Sequence, residues 1–586
     1  MCKRLFKPAK LTSLLLLGII TGNALADTLL IENATLLDMV NDRPQRNVNI
    51  LIQGDTIREV WSGNRGPEIP DDVVIIDAKG KYVMPGLMDS HVHYNWYMGE
   101  LFLHHGITTV VDLGSRIYWQ KALQKGLNSG KLRGPKYLFC GRIGTNEQSN
   151  YAAVAQRRLF ATASSPREAR RAVSAIKDNS DCLRMGMDTE DNLYQAINLE
   201  ANRAGLGVIS HSYDAIHSAE LGVNGIEHLE GIALATIRSE EGRAAVATMQ
   251  LEEGRKHPLL YQWMEERYYD EVIDILVENN IYLNPTFIHE WKGVIDRTDE
   301  FEQDDLTLFT NPELQYIPMD EKLVSLNQYH WADQAYADNP SGDQLYVNNS
   351  YFISAEGLKE SLETGYKKIQ EFLDEFVDAG GKIYSGTDTA AASTPGISLH
   401  HEMQLLVDAG ISELNVLKSS TIWPAELLRI DDRHGTIEPG KVGDVLILEA
   451  NPLADIGNAR KIYSLIMNGK VIDRNFYADY DNPFPQYGTV SKHQYHQQPV
   501  INNVEPPIVT ELTTSTITII GDEFQPETVV LFNGEKLQTR YINHQEIQAI
   551  LTRQYTRTPG SHLIGAATPA PGGGEAVPME FIVDYR

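Results

Sequence analysis

The chain has 586 residues, 42% of them hydrophobic, and a formal net charge of −28 at pH 7. It is long enough for several domains, and so acidic a surface would repel the phosphates of nucleic acid. Beyond the amino terminus no stretch is long and apolar enough to cross a bilayer, which argues against an integral membrane protein.

Residues 1–26 read as a secretory signal: Lys3, Arg4, Lys7 and Lys10 precede the apolar LLLLGII, and Ala24-Leu25-Ala26 precedes Asp27. The apolar core is too short for an anchor. Cleavage after Ala26 would remove four positive charges, taking the net charge from −28 to −32 and leaving a periplasmic or extracellular protein. Two cysteines, Cys140 and Cys182, lie beyond the signal, in neighbouring predicted strands. They suit either a disulfide or two buried thiols.

Residues 28–84 alternate in short β-type runs with turns, as in NVNILIQGDTIREVWSG. From 85 to 433, runs such as YLFCG, CLRMG, GVISH and IYLNPTF alternate with helical stretches such as SPREARRAVSAIKD. That alternation predicts an α/β fold with a parallel (β/α)8 TIM-type barrel. The span from Arg238 to Ser350 is longer and more acidic than a minimal barrel needs, and carries Trp263, Tyr268, Tyr269, Tyr329 and Trp331. It is read as a lid or as helical decoration. Residues 476–505 are Pro-rich and polar, a linker. From 506 to 586, strands recur with turn signals at the spacing of a β-sandwich.

The stretch PGLMDSHVHY places His91 and His93 one residue apart after an apolar run. In a strand, residues i and i+2 share a face, so both imidazoles can reach one metal ion. With 17 histidines in 586 residues, about half a His-x-His arises by chance. The weight therefore falls on the context, a strand end with a Pro-Gly turn and an adjacent acid. GLGVISHSYD closes a run at His211, GVNGIEHLE at His228, and GKIYSGTDTA brings Asp388. Taken singly, each is equally well a capped strand or a satisfied core histidine. Together they read as a metal site at the carboxyl ends of parallel strands.

These motifs, with GITTVVDLG, SGTDTAAASTPGISLHHEMQLLVDAG and GTIEPGKVGDVLILEANPL, resemble the amidohydrolase superfamily, notably its imidazolonepropionase and Xaa-Pro dipeptidase-like branch. The resemblance runs from about Leu30 to Arg474. It implies that residues 28–84 and 434–475 form one small β-sandwich into which the barrel of residues 85–433 is inserted. ITIIGDEFQPETVVLFNG and TPAPGGGEAVPMEFIV resemble IPT/TIG immunoglobulin-like domains. The superfamily likeness implies His91, His93 and Asp388 on one metal, and His211 and His228 on a second where one exists. Two-metal relatives bridge their ions with a carboxylated lysine, whose position here holds Arg184. A guanidinium stays protonated and cannot become a carbamate. One divalent ion per chain, Zn2+ above all, is therefore favoured over two. A bridge from Cys182 or Asp188, or an inactive site, are the other readings.

The implied activity is hydrolysis of a C–N bond in a small amide, cyclic amide or dipeptide-like substrate by metal-activated water. Asp388 would act as general base and then acid. His228, with His211, would be a ligand or would polarise the substrate carbonyl. Arg142 is a candidate carboxylate clamp, and Tyr213 a weaker pocket candidate. The alternative function is a barrel that binds a small molecule or cell-wall component without turnover. Assembly into a homo-oligomer stays open.

Overall fold

The computed structural model describes residues 28–63, 65–114, 117–144, 161–186, 189–248, 258–330, 345–347, 351–353, 355–389, 392–480, 498–569 and 574–586. The expected signal at 1–26, Asp188 and Trp331 lie outside the described residues.

Eight short, buried runs make the barrel: β1 (Leu87–Val92), β2 (Ile107–Asp112), β3 (Lys136–Gly144), β4 (Cys182–Met185), β5 (Gly207–His211), β6 (Gly225–Glu227), β7 (Tyr282–Asn284) and β8 (Lys382–Ile383). Each pairs in parallel with the next. The ring closes through backbone bonds, Ser90 N–H to Ser385 O (2.9 Å) and Asp388 N–H to His91 O (2.9 Å). A parallel strand in a barrel is covered on both faces, and β2, ITTVVD, is buried throughout, with compact β-branched side chains from Ile107 to Val111 and a polar residue at its end. The helices outside are amphipathic. In Pro166–Lys177, proline opens the first turn and Ala169, Ala172, Val173 and Ile176 form the buried stripe.

Inside the barrel, Val111, Leu138, Cys140, Cys182, Ile209 and Tyr384 pack as one cluster. Cys140 and Cys182 are register partners on adjacent strands and form a disulfide. This corrects the reading of Cys182 as a substitute metal bridge: its sulfur is already bonded.

The segments flanking the barrel meet in a single eight-stranded sheet. Thr28–Leu36, Gln45–Gln53, Thr56–Ser62, Val74–Asp77 and Tyr82–Pro85 come from before it, and Val445–Leu448, Ile462–Met467 and Lys470–Ile472 from after it. Val445–Leu448 pairs antiparallel with Tyr82–Pro85. Because side chains alternate along a strand, Val445 and Ile447 join the sheet's own core with Ile31 and Ile50. Leu446 and Leu448 join the barrel's core on the other face.

The acidic span after Arg238 contains packed helices, among them Tyr269–Glu278, Thr298–Phe309 and Met319–Asn327. Lys292, fully buried, donates to Asp305 Oδ2 (3.0 Å), Ser325 Oγ (2.9 Å) and Ala392 O (3.0 Å), under the ring of Tyr329. Burial pushes its amine below the usual lysine range, and these partners offset the cost of burying the charge. The cluster pins two of the helices to the chain a few residues past Asp388. Among the described residues no helix is long and apolar enough to cross a membrane.

The C-terminal unit is two sheets around a core of its own, with Val504, Ile517, Ile519, Val530, Ile547 and Phe581. Its expected start at 506 moves to 500, because Val500–Glu505 pairs antiparallel with Ser515–Asp522. That strand, VINNVE, buries only Val504 and so reads as polar linker. The other end of the expected linker belongs with the barrel. Phe476 stacks on His104 at 4.2 Å between ring centres, and the Tyr480 hydroxyl donates to Arg133 O at 3.0 Å. Residues 481–497 lie outside the described residues.

Candidate metal centre

Near the carboxyl end of β1, His91 is 1% exposed. Its Nδ1 lies 2.5 Å from Oε2 of Glu227, the last residue of β6. The buried Glu227 also accepts from Asn284 Nδ2 (2.9 Å) and the Tyr384 hydroxyl (2.9 Å). A carboxylate surrounded by donors makes Nδ1 the protonated nitrogen of His91 and leaves the lone pair on Nε2. That Nε2 is buried without a hydrogen-bond partner and lies 3.2 Å from Oδ1 of Asp388. His93 Nε2 is also 3.2 Å from this oxygen.

His228 is arranged in the same way. Its Nδ1 lies 2.7 Å from Thr286 Oγ1, and the Thr286 hydroxyl donates to Pro285 O at 2.8 Å. With that proton committed, Thr286 accepts from His228, and Nε2 carries the lone pair on the side of Asp388 Oδ2, 3.9 Å away. Ligand atoms of His91, His228 and Asp388 all lie within 4.8 Å of one another. Lone-pair nitrogens converging on a carboxylate repel unless a cation stands between them. These residues fit one divalent ion.

The backbone is bent to make this meeting. His228 (φ 60°), Thr286 (φ 49°) and Asp388 (φ 50°) are left-handed, a conformation costly for side-chain-bearing residues and concentrated at functional sites. Gly386 has no room for a side chain, since a Cβ there would lie 2.5 Å from His91 Cβ. Asp89 accepts from the Thr387 N–H (3.1 Å) and hydroxyl (2.7 Å), tying β1 to the segment that carries Asp388. Burial pushes the Asp89 carboxyl up to about 7 against those hydrogen bonds.

His211, expected as a ligand of a second metal where one exists, is placed otherwise. Its Nε2 lies 2.6 Å from Arg184 Nη2, and since a guanidinium only donates, that nitrogen accepts. Arg184 Nη1 donates to Leu113 O at 2.8 Å. A second ion at about 4 Å from this group would meet roughly 4 kcal/mol of repulsion per unit charge at a dielectric of about 20. The residues present do not fit a second ion on His211. Arg142 is the register partner of Arg184 on β3 and is half-buried. Tyr213 is 40% exposed, two residues beyond the end of β5.

Several site residues escaped sequence reasoning. Glu227 adjoins His228 in GIEHLE, yet its role depends on His91, 136 residues away. Asn284 and Tyr384 end apolar runs and look like ordinary strand residues. His289, with Nδ1 3.7 Å from Asp388 Oδ2, sits on the helix Phe287–Trp291. Glu402 fixes that helix by accepting from the N–H groups of Phe287 (3.0 Å) and Ile288 (2.7 Å). The signal for His289 was its place just after the strand-like IYLNPTF.

The fold and the cluster define a (β/α)8 barrel with a histidine–carboxylate centre at its carboxyl end. The profile of the amidohydrolase family matches residues 82–472, and the chain belongs to that family. A 5-methylthioadenosine/S-adenosylhomocysteine deaminase of Caldanaerobacter subterraneus subsp. tengcongensis is 43% identical over 65 residues, covering 11% of this chain and 14% of the relative. An imidazolonepropionase of Picrophilus torridus is 28% identical over 148 residues, covering 23% of this chain and 35% of the relative. The chain thus matches about a third or less of the length of these curated relatives. Among solved structures, a Xaa-Pro dipeptidase with bound methionine in its active site superimposes with a TM-score of 0.50 at 21% identity, covering 76% of this chain and all of that one. That likeness is one of fold.

Proposed function

We propose that this protein is a metal-dependent hydrolase of carbon–nitrogen bonds in small amides, cyclic amides or dipeptide-like compounds. One divalent ion, zinc by the nitrogen and oxygen character of the donors, would be held by His91, His93 and Asp388 with His228 beside them. The observation that carries the reading is the buried Nε2 of His91, without a hydrogen-bond partner and 3.2 Å from Asp388 Oδ1. When bound, such an ion supplies Lewis acidity and lowers the pKa of water. Glu227 holds His91 in the tautomer that presents Nε2. Asp388 takes a proton from water and delivers it to the departing nitrogen. His228, its Nδ1–H committed to Thr286, presents its Nε2 lone pair to the same space as a further ligand for the ion.

Export is part of the proposal. The Cys140–Cys182 disulfide supports it, since such bonds persist in oxidising compartments. The C-terminal unit is proposed to be an IPT/TIG-like domain that spaces or docks the enzyme, a reading its two sheets and separate core support. Mass spectrometry of the purified protein for bound metal, with turnover of an N-acyl amino acid and dipeptide panel, tests the function. One zinc and zinc-dependent hydrolysis are expected. A metal-free, inert protein would overturn the reading and leave the binding-protein alternative.

A further inference from the structure

Two residues beyond Cys140 and Cys182, on the same faces of β3 and β4, stand Arg142 and Arg184. The disulfide forms one layer of the barrel interior, and by strand parity the side chains of Arg142 and Arg184 start from the next layer toward the carboxyl end. Arg184 reaches to either side of β4, donating to Leu113 O past β2, two strands away, and to His211 Nε2 at the end of the adjacent β5. The absence of a side chain at Gly114 makes room for it: a Cβ there would lie 2.8 Å from Arg184 Nη1 and 3.4 Å from His93 Cε1. The guanidinium head therefore stands between His93 and His211. Both arginines are half-buried, and among the described residues no carboxylate pairs with Arg142. In a chain of net charge −28, adjacent cations at the mouth of a barrel run against the overall composition.

We infer that Arg184 takes the place of a second metal ion as a fixed organic cation. With Arg142 it anchors a carboxylate on the substrate, so that the enzyme acts on C–N compounds bearing a free carboxyl group. The planar fork of arginine matches a carboxylate in two parallel hydrogen bonds, which an ion or a lysine does not do. The held lone pair of His211 and the permanent charge of Arg184 keep a second cation out. This inference rests on the one-ion hydrolase reading above and names its substrate class.

The test uses the full-length zinc-loaded protein. Calorimetric titration compares N-acetylalanine with N-acetylalaninamide and N-acetylmethionine with N-acetylmethioninamide, while mass spectrometry counts zinc. The unmodified protein should hold one zinc and bind each acid about tenfold or more tightly than its amide, the worth of a charge-assisted hydrogen bond. Arg184→Gln should keep one zinc and lose the preference. Arg184→Lys, loaded with zinc in bicarbonate, should take up a second zinc, and it serves as the folded variant if Arg184→Gln does not fold. Equal binding of acids and amides, or binding of neither, overturns the anchor. Two zincs in the unmodified protein, or one in Arg184→Lys, overturns the replacement of the second ion. A protein without zinc that still prefers acids strikes the hydrolase reading and spares the anchor.

Discussion

The molecule holds two clusters of histidines that look alike as clusters and differ in chemistry. In the barrel mouth, His91, His93, His211 and His228 lie with neighbouring rings 4.9 to 5.4 Å apart. Between the helices Gly99–His104 and Ile397–Asp408, His104, His105 and His400 lie with neighbouring rings 4.9 to 6.1 Å apart. At the mouth the ring nitrogens of His91 and His93 meet the carboxylates of Glu227 and Asp388. In the second cluster they meet backbone carbonyls, Arg474 O, Leu101 O and His105 O. A carbonyl fixes a neutral, proton-bearing imidazole in place. A carboxylate behind Nδ1 with another in front of Nε2 suits the same ring to hold a cation. Proximity of histidines does not define a metal centre; the acceptors around them do.

The strongest way to break this comparison is to remove the charge in front of the rings. Asp388→Asn should fold and lose activity by about 10^3-fold or more, since an amide cannot carry the proton; steady-state turnover with circular dichroism checks both. If the variant turns over at the original rate, the mouth cluster is no different in kind from the other. Removing the charge behind the ring is milder. Glu227→Gln should weaken zinc binding about 10- to 100-fold, as measured by chelator competition, because the supporting acceptor sets the basicity of His91.

The second cluster sharpens the contrast through pH. Burial, with the nearby Arg460 and His401, pushes His400 down to about 3 despite its bond to His105 O and the charge of Asp304. Its folded pKa is depressed below the unfolded value of about 6.5, so its contribution is present above pH 6.5 and is lost as pH falls. At pH 5 the loss is about 2 kcal/mol. His400→Gln, which can still donate to the carbonyl, should lose about that much less stability between pH 7 and pH 5 in urea titrations. Equal losses in both proteins would mean that His400 is not held neutral. The smallest effect is expected outside both clusters. A chain ending at residue 497 should keep its hydrolytic rate, because the core of the C-terminal unit shares no residue with the barrel.

Much of the site was legible because strand periodicity is local. His91 and His93 announce themselves by spacing and by the Pro-Gly turn before them. The barrel was legible in the alternation of β-type runs and helical stretches, as in YLFCG and SPREARRAVSAIKD. What could not be read was which nitrogen faces which oxygen. The bond from Arg184 to His211 crosses 27 residues and that from His91 to Glu227 crosses 136. No local pattern carries such pairings, so Arg184 was legible as a misfit and not as the partner of His211. The strand Val500–Glu505 was missed for another reason: an edge with one buried side chain has no alternation to see.

The sheet that gathers both flanks of the barrel also has a temporal meaning. Tyr82–Pro85 is made early, yet its partner Val445–Leu448 lies about 360 residues downstream. At ribosomal speeds of about 5–20 residues per second, that partner follows after roughly 20 to 70 s. For that interval the early strands present an unpaired edge, the kind of surface on which chains misassociate. The order of the chain thus sets when that edge can be closed: not before residues 445–448 have been made.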